Sequence, residues 1–366
     1  MPSVLIFKET ILPPSETFIL AQMGALTRFS PHLAGLEPAP KSLPLEEPAI
    51  LLSRRASKAA DLRAKIYRRI AFAPLFHRRV RDLQPDLIHA HFASSGKAVL
   101  PLKKELRRPL IVTLHGGSDV PLHKPYVGIY RDLGEKATLF LCVSDFIRRQ
   151  AIEAGYPAGK LVVHYIGIDR AVFLPPTKAA ATDSILFVGR LVEMKGCEYA
   201  IRAMRVVQAR RPETEFTIIG DGPLRAGLEE LAKQLHVRCR FLGAQSPAVV
   251  REMMGKSRLL CLPSVTTSDG HHAEGLGLVL VEAQAMGVPV VSTFHAGIPE
   301  AVADGITGTL VPERDSERLA AAILRLLEDC DLWQRYHLAT QEYVDKKFDL
   351  RKQTALLEEI YAEQIR

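Results

Sequence analysis

Two carboxylates, Glu274 and Glu282, stand in a run that is otherwise apolar and rich in glycine, "HHAEGLGLVLVEAQAMGVPVVS" at 271–292. Burying a carboxylate costs free energy unless a hydrogen bond or an opposite charge compensates it. The pattern therefore indicates that polar groups, from the protein or from a ligand, meet both side chains. Ligand hydroxyl groups are suitable partners because a carboxylate accepts hydrogen bonds.

The run "LVLVEAQAM" (278–286) predicts a buried helix because it is apolar on nearly all sides. Gly287 suits a left-handed C-terminal cap, and Pro289 prevents continuation. A helix N-terminus binds anions through its unpaired amides. The amides at this terminus belong to Gly275, Leu276, Gly277 and Leu278. Glu274 lies beside the terminus, and Glu282 about one and a half turns further in, at ~3.6 residues per turn.

A nucleoside diphosphate sugar has a part for each of these features, namely a pyrophosphate, sugar hydroxyls and a ribose diol. The alternative is structural, with Glu274 capping the helix and Glu282 held in an ion pair.

A second candidate anion site follows the strand-like run "ILFV" (185–188). Gly189 and Arg190 stand at the strand end, and Lys195 lies where a helix is predicted to begin. Two cations beside a helix N-terminus favour an anion, because free amides and the helix dipole act with them. The alternative is an exposed arginine and lysine on a loop.

Gly220, Asp221 and Gly222 follow another strand-like run, "EFTII" (215–219). Glycines at such a place permit either the close approach of a ligand to the backbone or a tight turn. The sequence leaves both interpretations open.

Histidines add further candidates. His115 ends the run "LIVTLH" and is the histidine best placed to face a ligand, whereas His89 and His91 are equally compatible with the core or the surface. His271 and His272 are adjacent, so their side chains point in different directions, and no third soft ligand follows at usable spacing. We therefore predict no metal site.

The order of strand and helix signals predicts two α/β domains. Apolar runs in the first half lie at 4–7, 49–53, 86–91, 110–115 and 138–144. A linker rich in Pro and Ala (170–184) precedes a second series, at 185–190, 215–222, 239–243, 258–264 and 288–293. Such alternation is typical of a parallel sheet with helices on both faces. Ligands bind at the carboxyl ends of such strands, so we expect the two domains to face each other across a cleft.

The composition, 47% hydrophobic and 24% charged over 366 residues, is that of a globular chain with more than one core. No run approaches the ~20 apolar residues of a membrane span, and the N-terminus lacks a signal-peptide layout. The five cysteines form no CxxC pair, which fits a reducing compartment and argues against a disulfide framework or a zinc site. We expect a cytoplasmic protein.

The net charge of +7 is unevenly distributed. Residues 1–170 hold 25 Lys+Arg and 15 Asp+Glu, a net of +10, and the remaining 23 and 26 give −3 for 171–366. Ten of the basic residues lie between Arg54 and Arg81, among spaced apolar residues. This stretch predicts either a surface for an anionic membrane or a core-facing helix with a solvated basic face. The apolar series is Leu62, Ile66, Ile70, Phe76, Val80 and Leu83.

Taken together, these motifs resemble the retaining glycosyltransferases of family 4, with the two-Rossmann GT-B fold, over nearly the whole chain. The most specific piece is Glu-x7-Glu, here Glu274 to Glu282, accompanied by "VGRLVEMKG", "IIGDGPLR" and "YIGIDRAVF" in the family order. The resemblance implies an acceptor-binding domain at 1–172, a donor domain at 173–345 and a C-terminal helix at 346–366 that returns to the first domain.

The resemblance also implies roles for residues. Arg190 and Lys195 match the pair that holds the diphosphate, Glu274 matches the glutamate at the donor sugar, and Glu282 matches the one at the ribose hydroxyls. His115 matches a histidine near the donor sugar. The implied catalytic residues are His115, Glu274, Arg190 and Lys195. The implied donor-binding residues are Gly189, Arg190, Lys195, Gly220, Asp221, Glu274, Gly275, Leu276, Gly277, Leu278 and Glu282.

The first loop departs from the Gly-Gly pattern of many relatives and reads "SETFI" (15–19), which resembles a branch that builds exopolysaccharides such as colanic acid. We expect Glu16, Thr17 and His91 to contact the acceptor. The segment "HGGSD" has one residue more than the family's HGxD, so the resemblance assigns no role to Asp119.

The predicted function is transfer of a hexose from a nucleoside-diphosphate sugar to a hydroxyl of a lipid-linked or growing polysaccharide, with retained anomeric configuration. No metal or other cofactor is expected, because the two cations and the helix N-terminus would stabilise the leaving group. The alternative is a non-catalytic sugar-nucleotide-binding protein on the same fold. A nucleic-acid binder is not favoured because no basic, aromatic-interleaved motif is present. A dehydrogenase is not favoured because no GxGxxG follows a strand.

Overall fold

A computed structural model of the protein describes residues 1–40, 42–45, 47–116, 119–120, 131–176 and 183–366. The chain divides into two compact units, the first comprising Met1–Gly167 with Leu350–Arg366, and the second Ile168–Asp349. The division expected from the sequence places the boundaries at 172 and 345. Part of the predicted linker, 177–182, lies outside the described residues. Within the described ranges, no helix combines the length and the apolar character that crossing a bilayer requires.

The first unit is built on a parallel sheet with the strand order β3-β2-β1-β4-β5-β6-β7. Its strands are β1 (Ser3–Ile11), β2 (Ser30–Pro38), β3 (Ile50–Leu51), β4 (Leu87–His91), β5 (Leu110–Leu114), β6 (Leu139–Cys142) and β7 (Leu161–Val163). Its helices up to residue 167 are α1 (Thr17–Ala25), α2 (Lys58–Ile70), α3 (Pro74–Asp82), α4 (Ala93–Leu106), α5 (Arg131–Lys136) and α6 (Asp145–Glu153).

The second unit contains a parallel sheet with the order β10-β9-β8-β11-β12-β13. Its strands are β8 (Ser184–Val188), β9 (Glu215–Ile219), β10 (Arg240–Gly243), β11 (Leu259–Leu262), β12 (Val290–Thr293) and β13 (Gly308–Val311). Its helices are α7 (Cys197–Arg210), α8 (Arg225–Gln234), α9 (Pro247–Gly255), α10 (Leu278–Ala285), α11 (Ile298–Ala301), α12 (Ser316–Glu328) and α13 (Cys330–Lys347). The expectation of two α/β domains with parallel sheets is confirmed.

The last helix, α14 (Leu350–Gln364), belongs to the first unit, as predicted. Its Leu357 and Tyr361 are fully buried in the core formed by β1, β4, β5 and β6. The buried carboxylate of Glu358 accepts hydrogen bonds from the amides of Thr27 (2.7 Å) and Arg28 (2.5 Å), in the turn after α1. Apolar burial and charge-assisted hydrogen bonds therefore hold the C-terminal segment against the first sheet.

Strands β2, β7 and β13 do not appear among the predicted runs. The sequence of β2, "SPHLAGLEP", carries Pro and Gly, which are depleted in strands. Gly35 is nevertheless required in this strand, because a Cβ there would lie 2.1 Å from the carbonyl oxygen of Lys8 on β1. Pairing of β2 with β1 on one side and β3 on the other overrides the weak local preference.

Candidate active site

Loops that follow β8, β9, β11 and β12 gather at one edge of the second sheet, because parallel strands end on the same side. Backbone hydrogen bonds tie these loops to one another. The Leu191 amide donates to the Asp221 carbonyl (2.9 Å), and the Val265 amide donates to the Met194 carbonyl (2.9 Å). The predicted donor-binding residues of this unit therefore lie in a single connected set of loops.

Glu274 and Lys195 form an ion pair, with the Glu274 Oε2 atom 2.5 Å from the Lys195 Nζ atom. The Ser264 hydroxyl donates to the same carboxylate oxygen at 3.3 Å. Burial tends to raise the pKa of Glu274, but the ammonium of Lys195 outweighs it and the pKa falls below its ordinary value. Glu274 is therefore an ionised, partly buried carboxylate. It does not cap α10, so the capping alternative is not what the structure shows.

Lys195 ends a short 3-10 turn, Glu193–Lys195, and α7 begins only at Cys197. The expected helix start at Lys195 is therefore wrong by two residues. The physical reason is Gly196, whose φ of 66° interrupts right-handed geometry, and whose Cβ position would lie 1.8 Å from the Pro263 carbonyl oxygen. This contact places Lys195 against the loop after β11.

The N-terminus of α10 offers free amides. Its N-cap, Gly277, has a φ of 80° and no side-chain hydrogen bond caps the helix. In the described part of the chain, the amides of Leu276, Gly277 and Leu278 have no recorded hydrogen-bond acceptor. Such amides attract an anion, since the helix dipole adds its positive end at this place.

Glu282 lies on the first turns of α10, and among the described residues its carboxylate has no hydrogen bond or ion pair. Burial raises its pKa to about 7, and the distant Arg251 offsets only part of this shift. Within the ranges that the structure describes, no ion pair therefore holds Glu282. A carboxylate in this state would gain free energy from a hydroxyl donor.

Two further residues of the predicted donor set follow β8. Arg190 is exposed, and within the described residues no ion pair engages it. A Cβ added at Gly189 would make only ordinary contacts, at 3.5 Å from the Lys195 side chain. Space alone therefore does not explain the glycine at 189.

The glycines after β9 serve backbone packing. A Cβ at Gly220, whose φ is 141°, would lie 1.9 Å from the Gly189 carbonyl oxygen, and one at Gly222 would lie 2.4 Å from the Leu191 carbonyl oxygen. Asp221 is exposed and accepts a hydrogen bond from the Gly222 amide (2.8 Å). Close approach between two loops accounts for these glycines.

A histidine that the sequence analysis did not single out adjoins Glu274. His295 follows β12, is 1% exposed, and its Nε2 atom lies 3.1 Å from the Glu274 amide nitrogen. Its Nδ1 atom lies 2.7 Å from the Glu313 Oε1 atom. His295 lies two residues after a predicted strand, and that position is the signal by which the sequence could have indicated it, whereas Glu313 follows β13, which the sequence did not predict.

His271 and His272 lie on the loop before Glu274. The His271 amide donates to Asp269, and the His272 amide donates to Thr267. Throughout the described ranges, no group of three or more His, Cys, Asp or Glu side chains is arranged to hold a metal ion.

The first unit has its own cluster of histidines at the strand ends. The His91 Nδ1 atom lies 3.1 Å from the His115 Nε2 atom, and the two rings stack with centroids 5.3 Å apart. Phe18 and Phe92 flank the His115 ring, at 5.1 and 4.4 Å between centroids. Burial lowers the pKa of His115 to about 3, so its imidazole is neutral at physiological pH.

His89 belongs to the core of the first unit. It is fully buried, and its ring nitrogens contact the Tyr361 hydroxyl (2.5 Å) and the Thr113 hydroxyl (2.6 Å). His91 is also buried, but no partner meets its Nε2 atom within the described residues.

Glu16 precedes α1 and forms an ion pair with Lys8 (3.1 Å), while its second carboxylate oxygen, Oε2, is buried without a described partner. Thr17 is the first residue of α1 and is half-buried. Lys8 also lies over the Phe92 ring, with its Nζ atom 4.5 Å from the centroid. The predicted acceptor residues are therefore close to Lys8 and the histidines.

Asp119 has a structural role. Its carboxylate accepts hydrogen bonds from the amides of Ala93 (2.8 Å) and His115 (2.7 Å), and it is 1% exposed. Burial raises the pKa of Asp119 to about 6, although these amide hydrogen bonds oppose the shift. It ties the start of α4 to the loop that carries His115, while Gly117 and Ser118 of "HGGSD" lie outside the described residues.

The basic stretch 54–81 forms two helices, α2 and α3, which bury different parts of their apolar residues. On α3, Phe76 and Val80 are buried, so this part of the apolar series faces the core. On α2, the core face consists of Ala60, Ala64 and Tyr67, and the apolar series is exposed instead. The exposed large apolar residues of this region are Leu62 (58%), Ile66 (46%), Ile70 (59%), Phe72 (72%) and Leu75 (77%). The core-facing alternative therefore describes Phe76 and Val80 of α3, whereas the apolar series of α2 does not face the core.

Both units of the chain match models of known protein families. Residues 176–342 match the family model of glycosyl transferases group 1, and residues 24–172 match that of Glycosyltransferase Family 4. A phosphatidyl-myo-inositol mannosyltransferase of Mycolicibacterium smegmatis is 30% identical over 292 residues, which cover 76% of this chain and 72% of that protein. The chain belongs to the family 4 glycosyltransferases.

A relative named for colanic acid biosynthesis, the glycosyltransferase WcaL of Escherichia coli, is 35% identical over 243 residues. That match covers 64% of this chain and 60% of the relative, so the chain spans about three fifths of that protein's length. Among solved structures, Anabaena Alr3699/HepE in complex with UDP and glucose superposes with a TM-score of 0.77 at 19% identity, covering 99% of this chain and 100% of that one. This likeness confirms the expected GT-B fold.

Proposed function

We propose that the protein transfers a hexose from a nucleoside-diphosphate sugar to an acceptor hydroxyl with retained anomeric configuration. One observation carries this proposal. The second unit holds an ion-paired Glu274, an unpartnered Glu282 and an uncapped helix N-terminus on one short segment. A diphosphate, a sugar and a ribose diol would together satisfy these groups.

Each part of the donor is assigned to its own residues. The amides of Leu276, Gly277 and Leu278, together with Arg190 and Lys195, would hold the diphosphate. Glu274 would hold the sugar and Glu282 the ribose. Lys195 contacts Glu274 in this structure, so an incoming diphosphate would share the ammonium with that carboxylate. Gly275, Gly189, Gly220 and Asp221 complete the proposed donor set.

We further propose that the reaction needs no divalent metal. The leaving nucleoside diphosphate gains negative charge in the transition state, and fixed cations and amides stabilise such charge without reorganisation. The UDP named for the Anabaena structure supports UDP as the first nucleotide to test. WcaL is named for colanic acid biosynthesis, and a second relative, AmsK of Erwinia amylovora, is named for amylovoran biosynthesis. These names support a saccharide acceptor, lipid-linked or growing.

We assign the acceptor to the first unit. His91 Nε2 and Glu16 Oε2 are buried without described partners, and a hydroxyl-rich acceptor would supply the missing hydrogen bonds. Thr17 begins the same helix and adds a hydroxyl. His115, neutral and flanked by aromatic rings, would contact the donor sugar. The His115→Ala variant should then lose much more turnover than affinity for free nucleoside diphosphate.

We also propose that α2 rests on an anionic membrane surface, where a lipid-linked acceptor would be found. Exposed apolar residues and unpaired cations lie side by side there, since Ile66, Phe72 and Leu75 line one groove with Arg63 and Arg79. Within the described residues, neither of these two arginines has an ion-pair partner. Apolar insertion combined with basic charge is the recognised basis of interfacial binding.

Vesicle sedimentation tests the membrane proposal. The Arg63→Gln/Arg79→Gln variant should bind anionic vesicles about 30-fold more weakly at low salt, at about 1 kcal/mol per cation. Phe72→Ser/Leu75→Ser should weaken binding as well. The matched control is Leu356→Ser, whose side chain is 50% exposed on α14. Equal binding to neutral and anionic vesicles, or no binding at low salt, would refute the proposal.

The activity itself is tested by slow donor hydrolysis, which requires no acceptor. The protein is incubated in EDTA with UDP-, GDP- and ADP-hexoses, and proton NMR identifies the first-formed anomer of the released sugar. We expect one donor to be hydrolysed with retention, and Glu274→Gln to abolish the signal. An inverted first product contradicts the retaining mechanism, and loss of activity in EDTA contradicts metal independence.

The second candidate function, a non-catalytic sugar-nucleotide-binding protein, predicts a different result in the same experiment. It requires saturable binding of a nucleoside diphosphate with neither hydrolysis nor transfer. The presence of Arg190, Lys195, Glu274 and Glu282 together in this chain favours the enzyme.

A further inference from the structure

His295 lies where it can control the backbone of Glu274. It follows β12 by two residues, and its Nε2 atom is 3.1 Å from the Glu274 amide nitrogen. Its other ring nitrogen, Nδ1, is 2.7 Å from Glu313 Oε1, two residues beyond β13. Glu313 in turn accepts a hydrogen bond from the Thr266 amide at 2.7 Å. Glu313, His295 and Glu274 are thus linked in a chain of contacts that runs from the end of β13 to the loop before α10.

The chain of contacts defines the tautomer of His295. A backbone amide can only donate, so His295 Nε2 must be the acceptor and carries no proton. A neutral imidazole therefore carries its proton on Nδ1 and donates it to the Glu313 carboxylate. An imidazole held by a carboxylate in this way has a fixed orientation, as in the ligand-supporting pairs of metal sites.

The same loop also holds the other side of Glu274. The Gly297 amide donates to the Glu274 carbonyl at 3.2 Å, and a Cβ at Gly297 would lie 2.0 Å from the Gly275 carbonyl oxygen. Both backbone polar groups of Glu274 are thus engaged by residues just after β12. The side chain is held separately, by Lys195 and Ser264.

We propose that Glu313 and His295 act together as a positioning pair that aligns Glu274 for sugar transfer. His295 is buried and engaged through both ring nitrogens, so it acts through Glu274 and not on substrate. The inference rests on the proposed function, because it assigns the pair to turnover at that donor site. Misplacing a reacting group by about 1 Å costs on the order of 100-fold in rate.

The kinetic test compares two substitutions at one position. His295→Leu removes the acceptor and should lower kcat for donor hydrolysis about 10- to 100-fold. It should leave the affinity for UDP within about threefold, because Arg190 and Glu282 are untouched. His295→Gln offers a carbonyl oxygen at similar reach and should recover most of the kcat. Thr309→Val, a partly buried position on β13, serves as the control for general disturbance of this region.

A spectroscopic test is independent of activity. The nitrogen spectrum of protein labelled at its histidines should show one ring protonated at Nδ1 and free at Nε2, and this signal should vanish in His295→Leu. In Glu313→Gln the amide group can donate to Nδ1, so the proton should shift toward Nε2 and kcat should fall while UDP affinity holds.

The outcomes separate the two claims. Unchanged kcat in His295→Leu, or a fall in UDP affinity in step with kcat that His295→Gln does not restore, overturns the positioning role. A proton on Nε2 in the folded wild-type protein also overturns the positioning role. If His295→Leu does not fold, this measurement alone tests that role. A wild-type protein that neither binds nor hydrolyses nucleotide sugars refutes the proposed function instead.

Discussion

Replacing Glu282 with glutamine should stabilise the protein in the absence of ligand. The carboxylate has no hydrogen bond or ion pair among the described residues, and burial raises its pKa from 4.5 to about 7. Because the side chain is partly exposed, the raised pKa corresponds to at most about 3 kcal/mol, at about 1.36 kcal/mol per pKa unit. Above pH 7 the folded protein must hold a charge that the unfolded chain exposes to water.

The sign of the pH dependence follows from linkage. Between pH 4.5 and 7 the folded protein binds a proton at Glu282 that the unfolded chain has released, so the contribution to stability falls as pH rises. The free energies of unfolding of wild type and Glu282→Gln should therefore agree near pH 4.5. They should diverge in favour of the variant by up to about 3 kcal/mol at pH 8.

Urea unfolding at pH 4.5, 6, 7 and 8 measures this difference. Glu230→Gln, at an exposed position of α8, is the matched control and should show no divergence. With UDP present this advantage should shrink toward zero, because the variant loses a charged acceptor for ribose hydroxyls worth about 1.5–3 kcal/mol. A variant that is less stable than wild type at pH 8 without ligand would show that Glu282 has a structural partner and would refute the reasoning.

Three further predictions concern stability and the ion pair. Gly220→Ala should abolish folding of the second unit, because the added Cβ would lie 1.9 Å from a backbone oxygen. Its control is Gly227→Ala on α8, where a Cβ would meet nothing within 4 Å. This control should stabilise the protein by about 0.5–1 kcal/mol in a thermal melt. Glu358→Gln should destabilise the first unit by about 1.5–3 kcal/mol in urea unfolding, because the amides of Thr27 and Arg28 lose a charged acceptor. Lys195→Gln leaves the carboxylate of Glu274 without its cation, so about 3 kcal/mol of stability should be lost at pH 7. That loss should shrink as pH falls below the ordinary pKa of a glutamate, since the lowered pKa of Glu274 contributes stability only above it.

Much of the fold was predictable because buried parallel strands are continuous apolar runs. The runs at 185–190 and 258–264 correspond to β8 and β11, and the GT-B architecture followed from their order and from the Glu-x7-Glu motif. β2 was not predictable locally, because Gly35 is selected by its approach to β1 and weakens the strand signal. Such tertiary demands override local preference.

The side-chain pairing of the donor site was less accessible from the sequence. Lys195 and Glu274 were each indicated, but their ion pair spans 79 positions and depends on Gly196 bringing two loops together. His295 and Glu313 were missed because each stands alone in the sequence, and only the neighbouring ends of β12 and β13 bring them together. The sequence also did not show which apolar residues of 54–83 are buried, because the series spans two helices. Its members are buried on α3 at Phe76 and Val80, whereas on α2 the core face is formed by other residues.

Calorimetric titration with nucleoside diphosphates most directly tests the central claim that Glu274, Glu282, Lys195 and the α10 amides form a sugar-nucleotide site. The wild-type protein in EDTA is titrated with UDP, GDP, ADP and CDP, alongside Glu282→Gln and the control Glu230→Gln. We expect one nucleotide to bind at a single site, with affinity about 10- to 100-fold lower in Glu282→Gln, equivalent to about 1.5–3 kcal/mol, and unchanged in the control. Binding of equal strength in wild type and Glu282→Gln, or no binding of any of the four nucleotides, would contradict the account.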